Sequence, residues 1–405
     1  MYSRRIINYY SSIKKYTKKT PLELSDRLSK KHNCNVFLKR EDIQITRSFK
    51  IRGATNKIIN NIDLAREYGV VCVSAGNHAQ GFSHLCNEFN LNGTVFIPNN
   101  TPLQKKNRIE FFGGDNISIK QHGMNFNECL EKALKFKEET NTLFIHPFND
   151  HEIIDGQATI AHEIYQELLP NYIMCCVGGG GLISGILQYS KEYNPQCKVV
   201  GVEPYGAASL TQALENGSPK KLDKIDTFVD GGSVAEIGNL TFDIINNTID
   251  GIHTTHNEEL ANIMIEFYEY EGIILEPAGA LSVSALSKYN FESNDNVVCI
   301  LSGGNNDITR YQEIMDLNLR YLNKKHYFII QFAQKPGQLT NFMKILDKND
   351  DITRFEYIKK TNKNYGDVLI CIETENISQF INKMNVSEFN YKQINPDDLI
   401  YNYLV

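Results

Sequence analysis

The sequence lacks several features that define whole classes of protein. No run of about 18 apolar residues occurs in the 405-residue chain, so we expect no transmembrane helix. Its first residues lack the apolar core and the small-residue cleavage site of a signal peptide. The formal net charge is only −6, which gives no reason to expect a nucleic acid or an anionic membrane as a partner.

The cysteines show neither a disulfide framework nor a metal-binding pattern. There are nine of them, and they form no Cys-x-x-Cys pair and no cysteine–histidine spacing typical of a metal site. Cys175 and Cys176 are adjacent and lie in an apolar run. We therefore expect buried, reduced thiols in a cytoplasmic protein. A chain of this length, 41% apolar and 22% charged, is typical of a globular protein of two or three domains.

Strands and helices alternate over about three quarters of the chain. Apolar runs of strand length, such as 70–73, 172–177 and 296–301, are each followed by a glycine-containing turn and a helical pattern. This order predicts parallel sheet covered by helices on both faces. Before it, residues 6–33 are predicted as helical with a break at Thr20 and Pro21, so that 21–32 forms a second helix. The run KRED at 39–42 is predicted as a charged loop.

The last 80 residues follow a different order. Strands are predicted at 326–332, 352–360, 367–373 and 389–394, and helices at 336–346 and 376–384. The resulting βαββαβ order suits a small α+β domain with an antiparallel sheet. A charged helical stretch at 313–325 is the predicted connector, and the predicted domains are therefore 1–320 and 326–405.

Three polar turns follow predicted strands, at 74–77 (SAGN), 178–181 (GGGG) and 302–305 (SGGN). In parallel sheets, ligands bind beyond the carboxyl ends of the strands. Four glycines before a helix let backbone N–H groups approach an anion closely. The run fits neither a dinucleotide fingerprint nor a P-loop, because Ile183 or Ser184 stands at the last fingerprint glycine and Gly185 is followed by Ile186. A phosphate monoester is the predicted guest, and a close-packed turn is the alternative.

The other two turns and one lysine have weaker signals when each is taken alone. The stretch from Ser74 to His78 can bind a carboxylate through backbone N–H groups, and Asn77 can donate to a phenolate-like oxygen; a simple helix cap is the commoner explanation. Ser302 offers a neutral hydroxyl, or again a cap. Lys50, within SFKIRGA at 48–54, has the pattern of an ordinary lysine at a helix start.

Together, a phosphate cradle, an amide, a hydroxyl and a lysine form a set that fits pyridoxal phosphate. The sequence resembles the fold-type II (tryptophan synthase β-like) pyridoxal phosphate enzymes and, among them, the threonine dehydratases (threonine ammonia-lyases). The motifs that support this resemblance are 39–42 (KRED), 48–54 (SFKIRGA), 74–81 (SAGNHAQG), 178–182 (GGGGL), 276–280 (EPAGA) and 302–305 (SGGN).

The resemblance implies a role for each matching residue. Lys50 is implied to be the Schiff-base lysine and the general base, with Phe49 beside the cofactor. Asn77 is implied to contact the ring oxygen and Ser302 the ring nitrogen. The implied phosphate loop is Gly178, Gly179, Gly180, Gly181 and Leu182, and the implied site for the substrate carboxylate is Ser74, Ala75, Gly76, Asn77 and His78. A smaller subdomain of about residues 50–150 is implied as an insertion.

The resemblance further implies an activity, the deamination of L-threonine to 2-oxobutanoate and ammonia as the first step of isoleucine biosynthesis. Similar serine racemases carry a second serine where this chain has Ala75, so elimination is favoured over racemisation. A serine-preferring or catabolic dehydratase of the same fold is one alternative. A non-catalytic amino-acid sensor is another, but the presence of Lys50, Asn77 and Ser302 argues against it.

Two further expectations concern metal and regulation. Some relatives bind a divalent ion at a Glu and an Asp. Here Glu203 is present, but Ser209 stands at the position of the Asp, so we expect no metal, with a monovalent ion as the alternative.

The tail resembles a single ACT-like regulatory domain, with a partial match at 334–339 and a closer one at 350–357. This implies isoleucine as an effector and a homotetramer, the alternative being a dimerisation module with a weak or lost effector response.

Overall fold

A computed structural model describes residues 1–359, 363–395, 398 and 400–401. The chain divides into two compact units, residues 1–307 and 308–405. The helix predicted as the connector corresponds to Tyr311–Tyr321, which belongs to the second unit. The functional domain limits of 1–320 and 326–405 stay a prediction. No helix among the described residues is long and apolar enough to cross a membrane.

The first unit contains ten strands and thirteen α-helices among its residues, all of which are described. The strands are β1 (Leu22–Leu24), β2 (Asn35–Arg40), β3 (Val70–Val73), β4 (Gly93–Ile97), β5 (Ile117–Gln121), β6 (Leu143–Phe144), β7 (Tyr172–Cys176), β8 (Lys198–Pro204), β9 (Gly251–Thr255) and β10 (Asn296–Leu301). The helices are α1 (Tyr2–Ile13), α2 (Asp26–His32), α3 (Lys50–Asn60), α4 (Ile62–Tyr68), α5 (Asn77–Phe89), α6 (Leu103–Gly113), α7 (Phe126–Thr140), α8 (His151–Tyr165), α9 (Gly181–Tyr193), α10 (Ser209–Asn216), α11 (Asn239–Ile245), α12 (Asn257–Glu271) and α13 (Pro277–Ser284).

The strands of the first unit form two sheets. The larger sheet has the order β1-β2-β10-β7-β8-β9, and all its pairs are parallel except β1 with β2. The smaller sheet has the order β5-β4-β3-β6 and is parallel throughout. Strands such as β3 and β10 are buried along nearly their whole length, which explains their continuous apolar sequences. The predicted α/β class with parallel sheets is confirmed.

Helix α3 makes contacts on two of its sides. Ile51, Ala54 and Ile58 pack into the apolar core beneath the smaller sheet. Arg52, from another side of the same helix, bonds the carboxylates of Glu41, which follows β2, and Glu163 on α8. Lys50, the first residue of α3, is therefore positioned by contacts on both sides of its helix.

Two local predictions near the N-terminus were wrong in part. The stretch after Pro21 begins with β1, and the predicted helix, α2, starts only at Asp26, where Ser25 accepts a hydrogen bond from the Leu28 N–H as N-cap. The KRED run is not a loop, because its first two residues end β2 and the next two begin a 3-10 turn. Lys39 and Glu41 are fully buried, paired with Glu163 and Arg52. Both differences arise from tertiary contacts that override the local pattern.

The second unit has the predicted βαββαβ order, preceded by one helix. Its elements are α14 (Tyr311–Tyr321), β11 (Lys325–Ala333), α15 (Gln338–Met343), β12 (Asp351–Tyr357), β13 (Tyr365–Glu373), α16 (Ile377–Asn385) and β14 (Asn390–Ile394). The sheet is antiparallel, in the order β12-β13-β11-β14. Its core includes Phe328, Phe342, Ile370 and Phe380. The strand predicted over 352–360 ends earlier, and its last predicted residue, 360, lies outside the described residues.

Candidate active site

The three polar turns all lie at the carboxyl ends of parallel strands, as predicted. Ser74 follows β3 in the smaller sheet, whereas the glycine run and Ser302 follow β7 and β10, which are neighbours in the larger sheet. A β-bridge joins Ser48 to Gly303, and the N–H of Phe49 donates to the carbonyl of Ser302. The turn at 302–305 therefore contacts the segment that leads into α3.

Lys50 differs from an ordinary surface lysine. Its Nζ donates to the carbonyl oxygen of Pro147 at 3.1 Å and lies 5.1 Å from the centroid of the Phe49 ring. Burial lowers the pKa of Lys50 to about 8, although the nearby groups of Cys176 and Glu276 oppose that change. A large fraction of this amine is thus neutral near pH 8 and able to act as a nucleophile or base.

The glycine run packs closely and still leaves donors available. A β-carbon on Gly179 would lie 2.3 Å from the ring of Phe148, and Gly180 has φ +87°, so neither position accommodates a side chain. None of the hydrogen bonds among the described residues uses the N–H groups of Gly179, Gly180, Gly181 or Leu182. Close packing, the alternative explanation, therefore accounts for the glycines but not for the unpaired N–H groups at the start of α9, which suit an anion.

Asn77, the first residue of α5, is held on both sides of its amide. Its Nδ2 donates to Oε1 of Glu276 at 2.6 Å, and its Oδ1 accepts from Nδ2 of Asn305 at 2.8 Å. The side chain does not cap α5: the N-cap position is Gly76, and the Asn77 amide bonds Glu276 and Asn305 instead. Nδ2 carries a second N–H, which is the donor available for a ring oxygen.

The proposed carboxylate site keeps free backbone donors. The Oγ of Ser74 accepts from the Gly76 N–H at 3.1 Å, which shapes the turn. No hydrogen bond among the described residues uses the N–H groups of Ala75, Asn77 or His78. The His78 ring faces the carbonyl of Ile145 at 2.8 Å, and burial lowers the pKa of His78 to about 3, so its imidazole is neutral.

Ser302 is buried and lies beside a thiol. Its Oγ donates to the Ala278 carbonyl at 3.1 Å and is also hydrogen-bonded with Cys176, the last residue of β7. Burial raises the pKa of Cys176 to about 11, so the thiol is protonated. No carboxylate is a hydrogen-bond partner of Ser302 among the described residues. A ring nitrogen at this hydroxyl would meet a neutral partner.

Sequence reasoning missed three residues of this site. Glu276 was recognised only as part of a family motif, and its buried carboxylate contacts Asn77. Pro147 accepts from Lys50 and Phe148 packs on the glycine run, but no local pattern marks either residue. The Lys50–Pro147 and Asn77–Glu276 contacts join residues 97 and 199 positions apart, and even the shorter separation of Phe148 from Gly179 is one that periodicity does not reveal.

The stretch after Glu203 has a structural role. The Glu203 carboxylate accepts from the backbone N–H groups of Leu210 and Thr211 at 2.7 and 2.8 Å, at the start of α10. Ser209 is buried at the same helix start. Within the described residues, no group of three or more His, Cys, Asp or Glu side chains is arranged to bind a metal ion.

The fold and these donors define a class: parallel α/β enzymes that bind a phosphorylated aldehyde next to a half-buried lysine. Residues 13–303 match the family described as "Pyridoxal-phosphate dependent enzyme", and the chain belongs to this family. Residues 317–404 match the "C-terminal regulatory domain of Threonine dehydratase". The unpaired N–H groups, the neutral hydroxyl of Ser302 and the amine of Lys50 fit the cofactor that the family name states.

Relatives with curated descriptions cover the whole chain. One from Staphylococcus saprophyticus, "L-threonine dehydratase biosynthetic IlvA", is 44% identical over 100% of this chain and 98% of its own length. One of the same description from Bacillus subtilis is 41% identical over 99% and 97%. Among solved structures, threonine deaminase isoform 2 from Solanum lycopersicum superposes with a TM-score of 0.72 at 35% identity, covering 78% of this chain and 94% of that one. Maize serine racemase also has a TM-score of 0.72, at 27% identity, covering 79% and 98%.

Proposed function

We propose that this protein converts L-threonine to 2-oxobutanoate and ammonia, as a threonine dehydratase of the biosynthetic type. The observation that supports this most directly is the half-buried amine of Lys50, which donates to the Pro147 carbonyl and whose pKa is lowered to about 8. The relatives of 41–44% identity described as biosynthetic L-threonine dehydratases support the choice of substrate.

Each of the three turns would bind a different part of the cofactor or the substrate. Pyridoxal phosphate, when bound, supplies an aldehyde that combines with an amine and a ring that withdraws electrons from the adjacent carbon. Lys50 would hold the aldehyde, and the N–H groups of Gly178, Gly179, Gly180, Gly181 and Leu182 would hold the phosphate. Asn77 would donate to the ring oxygen through its second N–H. The Ser302 hydroxyl, which donates to the Ala278 carbonyl in this structure, would turn its one O–H to the ring nitrogen. Phe49 would lie beside the cofactor, next to the Lys50 amine.

Lys50 would then handle the proton of the substrate. Backbone N–H groups of Ala75, Asn77 and His78, in the turn shaped by Ser74 and Gly76, would bind the carboxylate of threonine and orient its α-carbon toward Nζ. Nζ would take the α-proton, and the electron pair of that C–H bond would form the Cα–Cβ double bond. The β-hydroxyl would leave as water with the proton that Nζ has taken. The released enamine hydrolyses to 2-oxobutanoate and ammonia. Ala75 carries no proton for the opposite face, which favours elimination over racemisation.

The activity is tested by adding L-threonine to the purified holoenzyme and measuring 2-oxobutanoate. L-serine is assayed in parallel, because a serine-preferring enzyme is the alternative of the same fold. We expect Lys50→Ala to lose turnover and the matched surface variant Lys135→Ala, on an exposed lysine of α7, to retain it. Full turnover by Lys50→Ala would overturn the role of Lys50. Cofactor binding with no turnover of either amino acid would favour the sensor alternative.

We also propose that isoleucine regulates the enzyme through the second unit and that the enzyme is a homotetramer. The match of residues 317–404 to the regulatory domain of threonine dehydratase supports the regulatory part. The nine cysteines, all buried and free, support a cytoplasmic location. Measuring turnover with and without isoleucine tests the regulation. Light scattering of the purified protein tests the oligomeric state. Unchanged turnover in isoleucine would leave the alternative of a dimerisation module.

A further inference from the structure

One unbroken line of hydrogen bonds connects helix α6 to a buried carboxylate in the active site. A guanidinium nitrogen of Arg108 donates to Oδ1 of Asn305 at 2.6 Å, and Nδ2 of Asn305 donates to Oδ1 of Asn77 at 2.8 Å. Nδ2 of Asn77 then donates to Oε1 of Glu276 at 2.6 Å. A guanidinium only donates and a carboxylate only accepts, so the two ends fix the orientation of both amides between them.

The burial of Glu276 is not explained by its helix. Glu276 occupies the N-cap position of α13, but its side chain makes no cap hydrogen bond. Its carboxyl group lies against Gly303, where a β-carbon would come within 2.2 Å of Oε1. The backbone N–H of Asn305 is a second donor to the carboxylate. The surrounding turns therefore accommodate a carboxylate that supports Asn77 and not its own helix.

Several charged or titratable groups face this carboxylate from the elements around it. They are Lys50 on α3, Lys105 and Arg108 on α6, Cys176 at the end of β7 and Asp230 in the segment before α11. Burial raises the pKa of Glu276 to about 7; Asp230 adds to this change, while the hydrogen bonds from Asn77 and Asn305 and the charge of Lys105 oppose it. Glu276 therefore changes its charge in the pH range where enzymes work.

We propose that Glu276 is a positioning residue that, together with Asn305 and Arg108, directs the second N–H of Asn77 at the ring oxygen of the cofactor. The carboxylate form of Glu276 holds the Asn77 amide firmly, because hydrogen bonds to a charged acceptor are stronger than those to a neutral one. Protonation of Glu276 weakens that bond and lets the amide turn. The inference rests on the proposed contact between Asn77 and the cofactor.

The test follows the visible absorption of the bound cofactor in the holoenzyme as a function of pH. We expect a spectral transition with a midpoint near pH 7 in the unmodified protein and its absence in Glu276→Gln, which keeps the shape and an acceptor oxygen but does not titrate. We also expect the cofactor to bind Glu276→Gln roughly 5-fold more weakly, the factor that separates a charged from a neutral acceptor.

Glu203→Gln is the matched control. Burial also raises the pKa of Glu203 to about 7, but its carboxylate bonds the start of α10 and has no contact with Asn77 among the described residues. We expect this variant to keep the spectral transition. Asn305→Ala interrupts the line of hydrogen bonds while leaving the Glu276 carboxylate in place, and we expect it to move the midpoint of the transition.

The outcomes separate this inference from the proposed function. A transition of unchanged midpoint in both Glu276→Gln and Asn305→Ala, alongside an altered spectrum in Asn77→Ala, would overturn the inference alone. A cofactor spectrum and affinity unchanged in Asn77→Ala would overturn the proposed role of Asn77 itself. Loss of the transition in the Glu203→Gln control would mean that the transition does not come from Glu276, and it would also overturn the inference.

Discussion

Replacement of Arg52 by leucine tests how the active-site helix is anchored. The guanidinium of Arg52 makes four hydrogen bonds of 2.8–2.9 Å to the carboxylates of Glu41 and Glu163. Lys39 bonds Glu163 at 2.6 Å, and all four side chains are 0% exposed. The two cations balance the two anions, so Arg52→Leu leaves one uncompensated negative charge in the interior.

The expected loss of stability follows from that burial. Removing one partner of a buried ion pair destabilises a protein by about 3–5 kcal/mol. Globular proteins unfold with an entropy of about 2.1 cal/mol/K per residue, so a unit of 307 residues should lose about 5–8 °C in Tm. Thermal unfolding of the holoenzyme, followed by the visible circular dichroism of the bound cofactor, measures this loss at the unit that contains Lys50.

Two further variants test whether the loss of stability comes from the buried charges. Arg66→Leu, on an exposed arginine of α4, should change the unfolding free energy by less than about 0.5 kcal/mol. The double variant Arg52→Leu/Glu163→Leu restores the charge balance and should melt above the single variant. If Arg52→Leu melts within about 1 °C of Arg66→Leu, the buried charges do not anchor α3.

Two other predictions concern cofactor binding. Gly179→Ala places a methyl group against the Phe148 ring. It should raise the dissociation constant of pyridoxal phosphate by roughly 5- to 150-fold, the equivalent of about 1–3 kcal/mol of overpacking. Equilibrium dialysis measures this constant, and the surface variant Lys135→Ala is the control whose affinity should not change. Because burial lowers the pKa of Lys50 to about 8, covalent attachment of the cofactor to the apoprotein should speed up as pH rises toward 8 and level off above it. Stopped-flow absorbance measures this rate, and a continued rise to pH 10 would mean that the amine is not desolvated.

Much of the fold was predictable from local patterns. The glycine turns at the strand ends, the parallel strands and the βαββαβ order of the tail each depend on periodicity and on residues with special backbone freedom. The helix predicted over 21–32 begins only at Asp26, because β1 pairs with β2, a contact that no local propensity encodes. The strand predicted over 352–360 began correctly within one residue, at the point where Ile352 packs against the core of the second unit.

Local sequence is enough to identify the chemical groups that are available: a lysine at the start of a helix, four glycines before another helix, and an amide and a hydroxyl in polar turns. How these groups act depends on tertiary contacts. Lys50 is desolvated by segments far along the chain, including Pro147 and Cys176, and Asn77 meets Glu276 across 199 positions. Burial and long-range pairing control the pKa values and orientations of these groups, and neither leaves a periodic signal in the sequence.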